Sequence, residues 1–219
     1  MQMNISIYTV VKDQKRLAEF YYEHYRNLFP GCKFFIFDNN STDGTADVFS
    51  GDDCVVENYP AYDEVRKTYH YNNVWKGSDA DWVIVCDIDE LVQITPEQLK
   101  EENETGTKVI FFQGWQMIAL NDTYNNDPRT ITHGFRENRY DKAAMFKPTI
   151  EEIGYSLGAH TASPEPKDMK MVGWKYKLFH YNEAFFTTTT PKPNKPEEIG
   201  EVDHQAIYKN NLDKSIKLI

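Results

Sequence analysis

The sequence predicts an α/β fold: an open mixed sheet, mostly parallel, with helices on both faces and an irregular C-terminal half. Three observations carry this. Short apolar strand-like runs alternate with helix-like segments through the first half of the chain. The runs at 34–37 and 83–86 are apolar throughout, as strands buried on both faces are. Both end abruptly in acid, at Asp38 and at Asp87.

The elements follow in order. Ile5 to Val11 (ISIYTVV) is rich in β-branched residues and tyrosine and reads as a buried strand. Leu17, Phe20, Tyr21, His24, Tyr25 and Leu28 recur at helical spacing, and Pro30-Gly31 stops that helix. KFFIF forms a second strand ending at Asp38, and DCVVEN a short third. Asp63 to Lys76 reads as a helix, and DWVIVCDIDEL holds a fourth strand. In TPEQLKEE, Thr95 is placed to cap, Pro96 to open the helix, and Gln98 to close a capping box. KVIFFQGW is a fifth strand. Beyond Trp115, ALNDTYNNDPRT reads as a loop; KAAMFKP, GYSLGAH and YKLFHY read as short strands. TTTTPKPNKPEE reads as a linker or mobile loop before a C-terminal helix. The whole chain of 219 residues is expected to be one domain: 1–115 for the ligand, 116–185 as the opposite half, 186–219 as loop and helix.

Composition excludes some classes. A net charge of −10 argues against a nucleic-acid binder, which needs a basic face. Cys32, Cys54 and Cys86 have no metal spacing and suit a reduced, cytoplasmic chain. The N-terminus lacks an apolar signal core, and no apolar run reaches membrane-spanning length.

The chemistry gathers at strand ends, where open sheets bind ligands. Asp87 and Asp89, two residues apart in extended chain, emerge together, with Ile88 turned back to the core. Two carboxylates that close repel unless a divalent cation bridges them to a further anion. A plain acidic turn, with Glu90 as a surface charge, is the competing reading. FDNNSTDGT, 37–45, raises the question of a calcium loop. Counted from Asn39, an EF-hand register puts Ser50 where the bidentate Glu belongs, so that reading fails. Asp43-Gly44 is turn chemistry, and Asp43 or Thr45 is placed to cap the next helix.

SIYTVVKDQ, FDNNSTDGT, CDIDEL, DKAAMFKP and FHY, in this order and spacing, resemble the GT-A glycosyltransferases, whose fold is Rossmann-like. The resemblance covers roughly Ile5 to Tyr181. It is nearest to their small, family-two-like branch, which includes a chlorella-virus-encoded domain of similar layout. It implies transfer of a sugar from a nucleotide-diphosphate donor, a UDP-sugar being expected, to an acceptor hydroxyl on a glycan or glycoprotein. Thr9, Val10 and Asp38 would hold base and ribose. Asp87 and Asp89 would hold Mn²⁺ or Mg²⁺ with ribose or diphosphate, and Ile88 lies between them on the donor side. His180 in FHY is preferred to His160 in GAH as the later metal ligand. Arg66 and Lys142 are the cations for the diphosphate, Lys142 and Asp89 carrying the catalytic assignment. Trp115 would offer a flat face to a sugar ring. The ED pair that many inverting members use as base has no clear counterpart. Asp122, Glu137, Asp141, Glu151, Glu152 and Glu165 all remain open. A sugar-phosphate nucleotidyltransferase and a non-catalytic nucleotide- or glycan-binding module are the alternatives.

Overall fold

A computed structural model describes residues 3–61, 63–119, 127–181 and 214–219. The TTTTPKPNKPEE segment, most of the C-terminal helix expectation and Asp122 lie outside these residues.

β1 (Ile5–Val11), β2 (Lys33–Asp38), β3 (Cys54–Asn58) and β4 (Trp82–Val85) lie where the apolar runs predict them. They pair in parallel in the order β3-β2-β1-β4. The helices α1 (Lys15–Leu28) and α2 (Glu64–Asn73) cover opposite faces. Strand alternation decides which side chain goes where. Ile5, Ile7 and Val11 of β1 and Trp82 and Ile84 of β4 pack with Leu17, Tyr21 and Tyr25 of α1. Tyr8, Val10, Val83 and Val85 pack with Tyr71 and Trp75 of α2. Each large apolar side chain buried this way is worth roughly 1.5–3 kcal/mol.

The chain then departs from the expected order. Glu90–Gln93 forms a separate strand, β5, where the sequence reads as the tail of β4. α3 (Pro96–Glu104) follows with the predicted capping box. Thr95 Oγ1 accepts from the Gln98 N–H at 3.3 Å, and Gln98 Oε1 accepts from the Thr95 N–H at 2.9 Å. β6 (Val109–Ile118), β7 (His133–Arg136), β8 (Lys142–Phe146) and β9 (Met171–His180) complete the described body of the sheet. β8 is antiparallel to β4 and to β6. β6 runs parallel to β9, and β9 antiparallel to β5.

GYSLGAH is not a strand. It is the tip of a hairpin held by isolated bridges Glu152–Glu165 and Tyr155–Ala162. Where a C-terminal helix was expected, the last described residues include a short strand, β10 (Ile216–Lys217), paired with β7.

α1 meets β5 through His24, whose imidazole Nε2 lies 3.1 Å from the Val92 carbonyl. Burial pushes this imidazole down to about 4, against the opposing effect of the Val92 contact. The folded state thus prefers the neutral ring, and the unfolded chain takes up the proton first. The contribution is complete above about pH 6.5 and drains away as pH falls toward 4. Between pH 7 and 5, urea unfolding should show wild type losing roughly 1–2 kcal/mol more than His24→Gln. Parallel pH profiles would contradict this.

Candidate functional site

The site lies at the carboxyl ends of β1, β2 and β4. β4 stops at Val85, and the next residues close a turn: the Glu90 N–H donates to the Asp87 carbonyl at 3.0 Å. Asp87 and Asp89 therefore sit on a turn and not on extended chain. Ile88 between them is buried in the core, as expected, so its side chain offers nothing to a ligand.

Asp87 is surrounded by donors. Its Oδ1 receives Lys67 Nζ at 2.7 Å and the Tyr71 hydroxyl at 2.8 Å, and Lys142 Nζ stands 3.9 Å from Oδ2. Lys67 and Tyr71 are one turn apart on α2, so a single helix face delivers both. Burial alone would raise the Asp87 carboxyl, but the two ammonium groups and these hydrogen bonds hold it well below the ordinary range. Glu90 is fully buried, correcting its reading as a surface charge. Its Oε2 accepts from Lys142 Nζ at 2.6 Å and from the Asp87 N–H at 2.8 Å.

Asp89 meets His180. β5 and β9 pair with Glu90 opposite His180, and the Tyr181 N–H donates to the Asp89 carbonyl at 2.7 Å. That register brings His180 Nε2 to 3.5 Å from Asp89 Oδ2. On the other side of the ring, His180 Nδ1 lies 2.8 Å from Gln116 Oε1. The Gln116 amide Nε2 donates to the Met117 carbonyl at 2.8 Å, which fixes the oxygen toward the histidine. The Gln116 oxygen thus engages Nδ1 and leaves Nε2 toward Asp89. Tyr140 stacks on the imidazole at 3.7 Å between ring centres, tilted by 14°. Burial raises the Asp89 carboxyl, and Asp87 and Glu90 push the same way against His180.

Among the described residues no three His, Cys, Asp or Glu side chains form a ready metal cage. Asp89 and His180 nevertheless present a carboxylate and an oriented imidazole nitrogen side by side. That pair fits one face of a divalent cation's shell, leaving the remaining positions to ligand oxygens and water. Asp87 fits less well, because two lysines already compensate its charge.

Other expected residues are placed differently. Thr9 is fully buried with its hydroxyl unpartnered, and so does not line a pocket. Val10 packs in the α2-side core, and its N–H donates to Tyr71 Oη at 3.2 Å. Arg66 is exposed and donates to the Ala61 carbonyl at 3.2 Å; the cation that reaches the acidic turn is its neighbour Lys67. Lys142 is fully buried and held by Glu90, so it compensates buried charge and is not free to grip a diphosphate. Trp115 precedes Gln116 on β6 and so points to the opposite face, with Lys177 Nζ 5.1 Å from its ring centre. It does not front the site. Of the acids left open as bases, Glu137 pairs with Arg139 at 2.8 Å and Asp141 with Arg136 at 2.6 Å.

FDNNSTDGT turns out to be largely architecture. Asp38 ends β2, and its two carboxylate oxygens take the Ser41 N–H at 3.3 and 3.1 Å. Ser41 Oγ accepts from the Asp13 N–H, Thr45 Oγ1 from Gln14 and Asp43 Oδ2 from Lys15. Asp43 and Thr45 thus satisfy the open N–H groups at the start of α1, the preceding helix, and not the next one. The loop fastens the ends of β1 and β2 together beside the site.

Lys67, Tyr71, Gln116 and Tyr140 were missed by sequence reasoning. Helical spacing from Lys67 to Tyr71 was the one available signal; Gln116 and Tyr140 reach the site only through pairing across the sheet.

No family model and no curated relative matches the chain. Solved structures similar to it include S. aureus TarS, at 12% identity and a TM-score of 0.49, over 82% of this chain and 37% of that one. They include TarS 1-349 in complex with UDP-GlcNAc, at 13% and 0.48, over 82% and 59%. The mannosyltransferase PcManGT from Pyrobaculum calidifontis, in complex with GDP-Man and Mn²⁺, matches at 15% and 0.40, over 57% and 38%. The chain spans less than two thirds of each.

Proposed function

We propose that this chain is a GT-A-type glycosyltransferase that moves a sugar from a nucleotide-diphosphate donor to an acceptor hydroxyl with the help of Mn²⁺ or Mg²⁺. One observation carries the reading: Asp89 and an oriented His180 face each other at the carboxyl edge of the parallel strands. A divalent cation held there would supply Lewis-acid stabilisation of the departing diphosphate. Gln116 holds the His180 ring by its Nδ1 edge and leaves Nε2 toward Asp89. Lys67 keeps the neighbouring carboxylate charged and supplies a positive field toward the same edge. Asp38, at the end of β2, keeps acceptor capacity beyond its bonds to Ser41, which suits a uracil N–H or a ribose hydroxyl and supports a UDP-sugar as donor. The acceptor would be a glycan or glycoprotein. Among the described residues no helix is long and apolar enough to cross a membrane.

The test is a thermal-shift and turnover screen of UDP-, GDP- and CMP-sugars with and without Mn²⁺. A ligand at 100 times its Kd should stabilise the native state by about 2.7 kcal/mol. Stabilisation by one sugar nucleotide only when Mn²⁺ is present, with release of the nucleotide, is the expected result. No response to any of them removes the proposal.

Gln116→Leu offers a sharper check on the metal pair. Loss of a group that orients a ligating histidine typically costs 10–100-fold in affinity. Mn²⁺ affinity, measured by calorimetry with UDP present, should fall by about that factor. Unchanged affinity would place the metal elsewhere.

A further inference from the structure

The hairpin tip GYSLGAH is held tightly for a surface turn. The Tyr155 N–H donates to Asn72 Oδ1 at 2.7 Å, Asn72 Nδ2 returns a bond to the Tyr155 carbonyl at 3.0 Å, and the Tyr155 hydroxyl donates to the Ala143 carbonyl at 2.6 Å. The Gly158 N–H donates to Glu64 Oε1 at 3.1 Å. Within this frame Gly158 and the non-glycine Ala159 both take left-handed backbone, at φ of 82° and 56°. Alanine there is strained, and such strain persists only where the surroundings over-determine it. It turns His160 inward onto the acidic turn.

His160 Nδ1 lies 4.0 Å from Glu90 Oε1. Both atoms are buried, and neither has a hydrogen-bond partner. The other Glu90 oxygen is committed to Lys142 and the Asp87 N–H. An unmet buried polar atom is costly, and a ring movement of about 1 Å would satisfy both, as hydrogen bonds of reacting groups tighten when ligand binds. The His160 side chain is 32% exposed while its Nδ1 is buried, so the accessible part of the ring includes the far edge, away from Glu90.

We propose that Glu90 and His160 form a carboxylate–imidazole dyad, with Glu90 positioning the ring and His160 Nε2 serving as the base for the acceptor hydroxyl. This rests on the glycosyl-transfer reading. In the step, the acceptor O–H proton passes to Nε2 and the acceptor oxygen bonds to the anomeric carbon. The bond from that carbon to the diphosphate oxygen breaks, its electron pair leaving with the diphosphate, so configuration inverts. His180 is excluded from the role because one nitrogen serves Gln116 and the other faces Asp89. The titratable groups acting on His160 are Glu90, Lys142, Asp87 and His180; Tyr140 packs edge-on against its ring. Burial is the leading influence and lowers its proton affinity, which keeps the ring unprotonated near neutral pH.

The test has two independent arms. Nitrogen-15 histidine NMR on the full chain should show His160 neutral at pH 7 with the proton on Nδ1; a proton on Nε2, or a charged ring, overturns the dyad. Separately, using the sugar nucleotide and Mn²⁺ identified by the screen, His160→Gln should cut kcat for donor hydrolysis by at least about 100-fold. Donor KM and the ligand-induced thermal shift should stay within twofold. His160→Ala should regain part of the loss with added imidazole. A kcat within threefold of wild type in both variants overturns the base assignment. If wild type turns over no sugar nucleotide, the functional reading and the base role fall together, and the NMR arm still decides the dyad.

Discussion

Replacing Lys142 with methionine is expected to destabilise the protein by about 3–5 kcal/mol. The ammonium is fully buried, 2.6 Å from Glu90 Oε2 and 3.9 Å from Asp87 Oδ2. Burial works against its charge, but Glu90 and Asp87 outweigh it and raise its proton affinity. Methionine fills much of the volume and leaves Glu90 as a buried charge without its partner. Urea unfolding should show a lower midpoint at unchanged slope. Adding Glu90→Gln should recover much of the loss, because removing both ions also removes their desolvation cost. Arg129→Met, which breaks an exposed pair with Glu23, is the control and should cost about 1 kcal/mol or less. A Lys142→Met variant within 1 kcal/mol of wild type would mean that the buried pair is not formed as described.

Asp89→Ala is expected to separate stability from activity. Burial raises the Asp89 carboxyl, and Asp87 and Glu90 add repulsion, so the folded protein holds this charge at a cost. Removing it should leave the melting temperature equal or higher. Metal-stimulated release of nucleotide diphosphate should fall by at least about 100-fold, the scale for losing a main electrostatic support of the transition state. Sites that trade stability for function behave this way. Asp87→Asn should do the reverse to stability, since Lys67, Tyr71 and Lys142 all converge on that carboxylate. An Asp89→Ala protein with wild-type metal stimulation would remove Asp89 from the metal pair.

The first half of the fold was legible because its information is local. Apolar runs, Pro30-Gly31 and the Thr95–Gln98 box each mark an element within a few residues. The family resemblance, and no local pattern, paired Asp89 with His180, and β9 sets them 3.5 Å apart. Lys142 and Arg66 were misassigned because sequence reports charge but not depth. One proved buried against Glu90, and the other points away while Lys67 faces the turn. Trp115 failed for a related reason: one step along a strand changes the face, and only the pairing says which face matters. β5 was missed because four residues follow the turn so closely that they read as the tail of β4.

The β5–β9 ladder has a consequence for the order of events during folding. Asp89 and His180 are ninety-one positions apart in sequence, and they become neighbours through this ladder and the pairing of β9 with β6. β1, β2 and β3 pair across twenty-seven and twenty positions, but the β1–β4 pairing that places the turn already joins Ile5 to Trp82, seventy-seven apart. Pairings of large sequence separation pay their loop-closure entropy before they return any contact, and so form slowly. The acidic turn and its histidine thus both wait on long-range pairings. The β1–β3 ladder is expected to form before the proposed metal pair, and cation binding would report the later docking of β9.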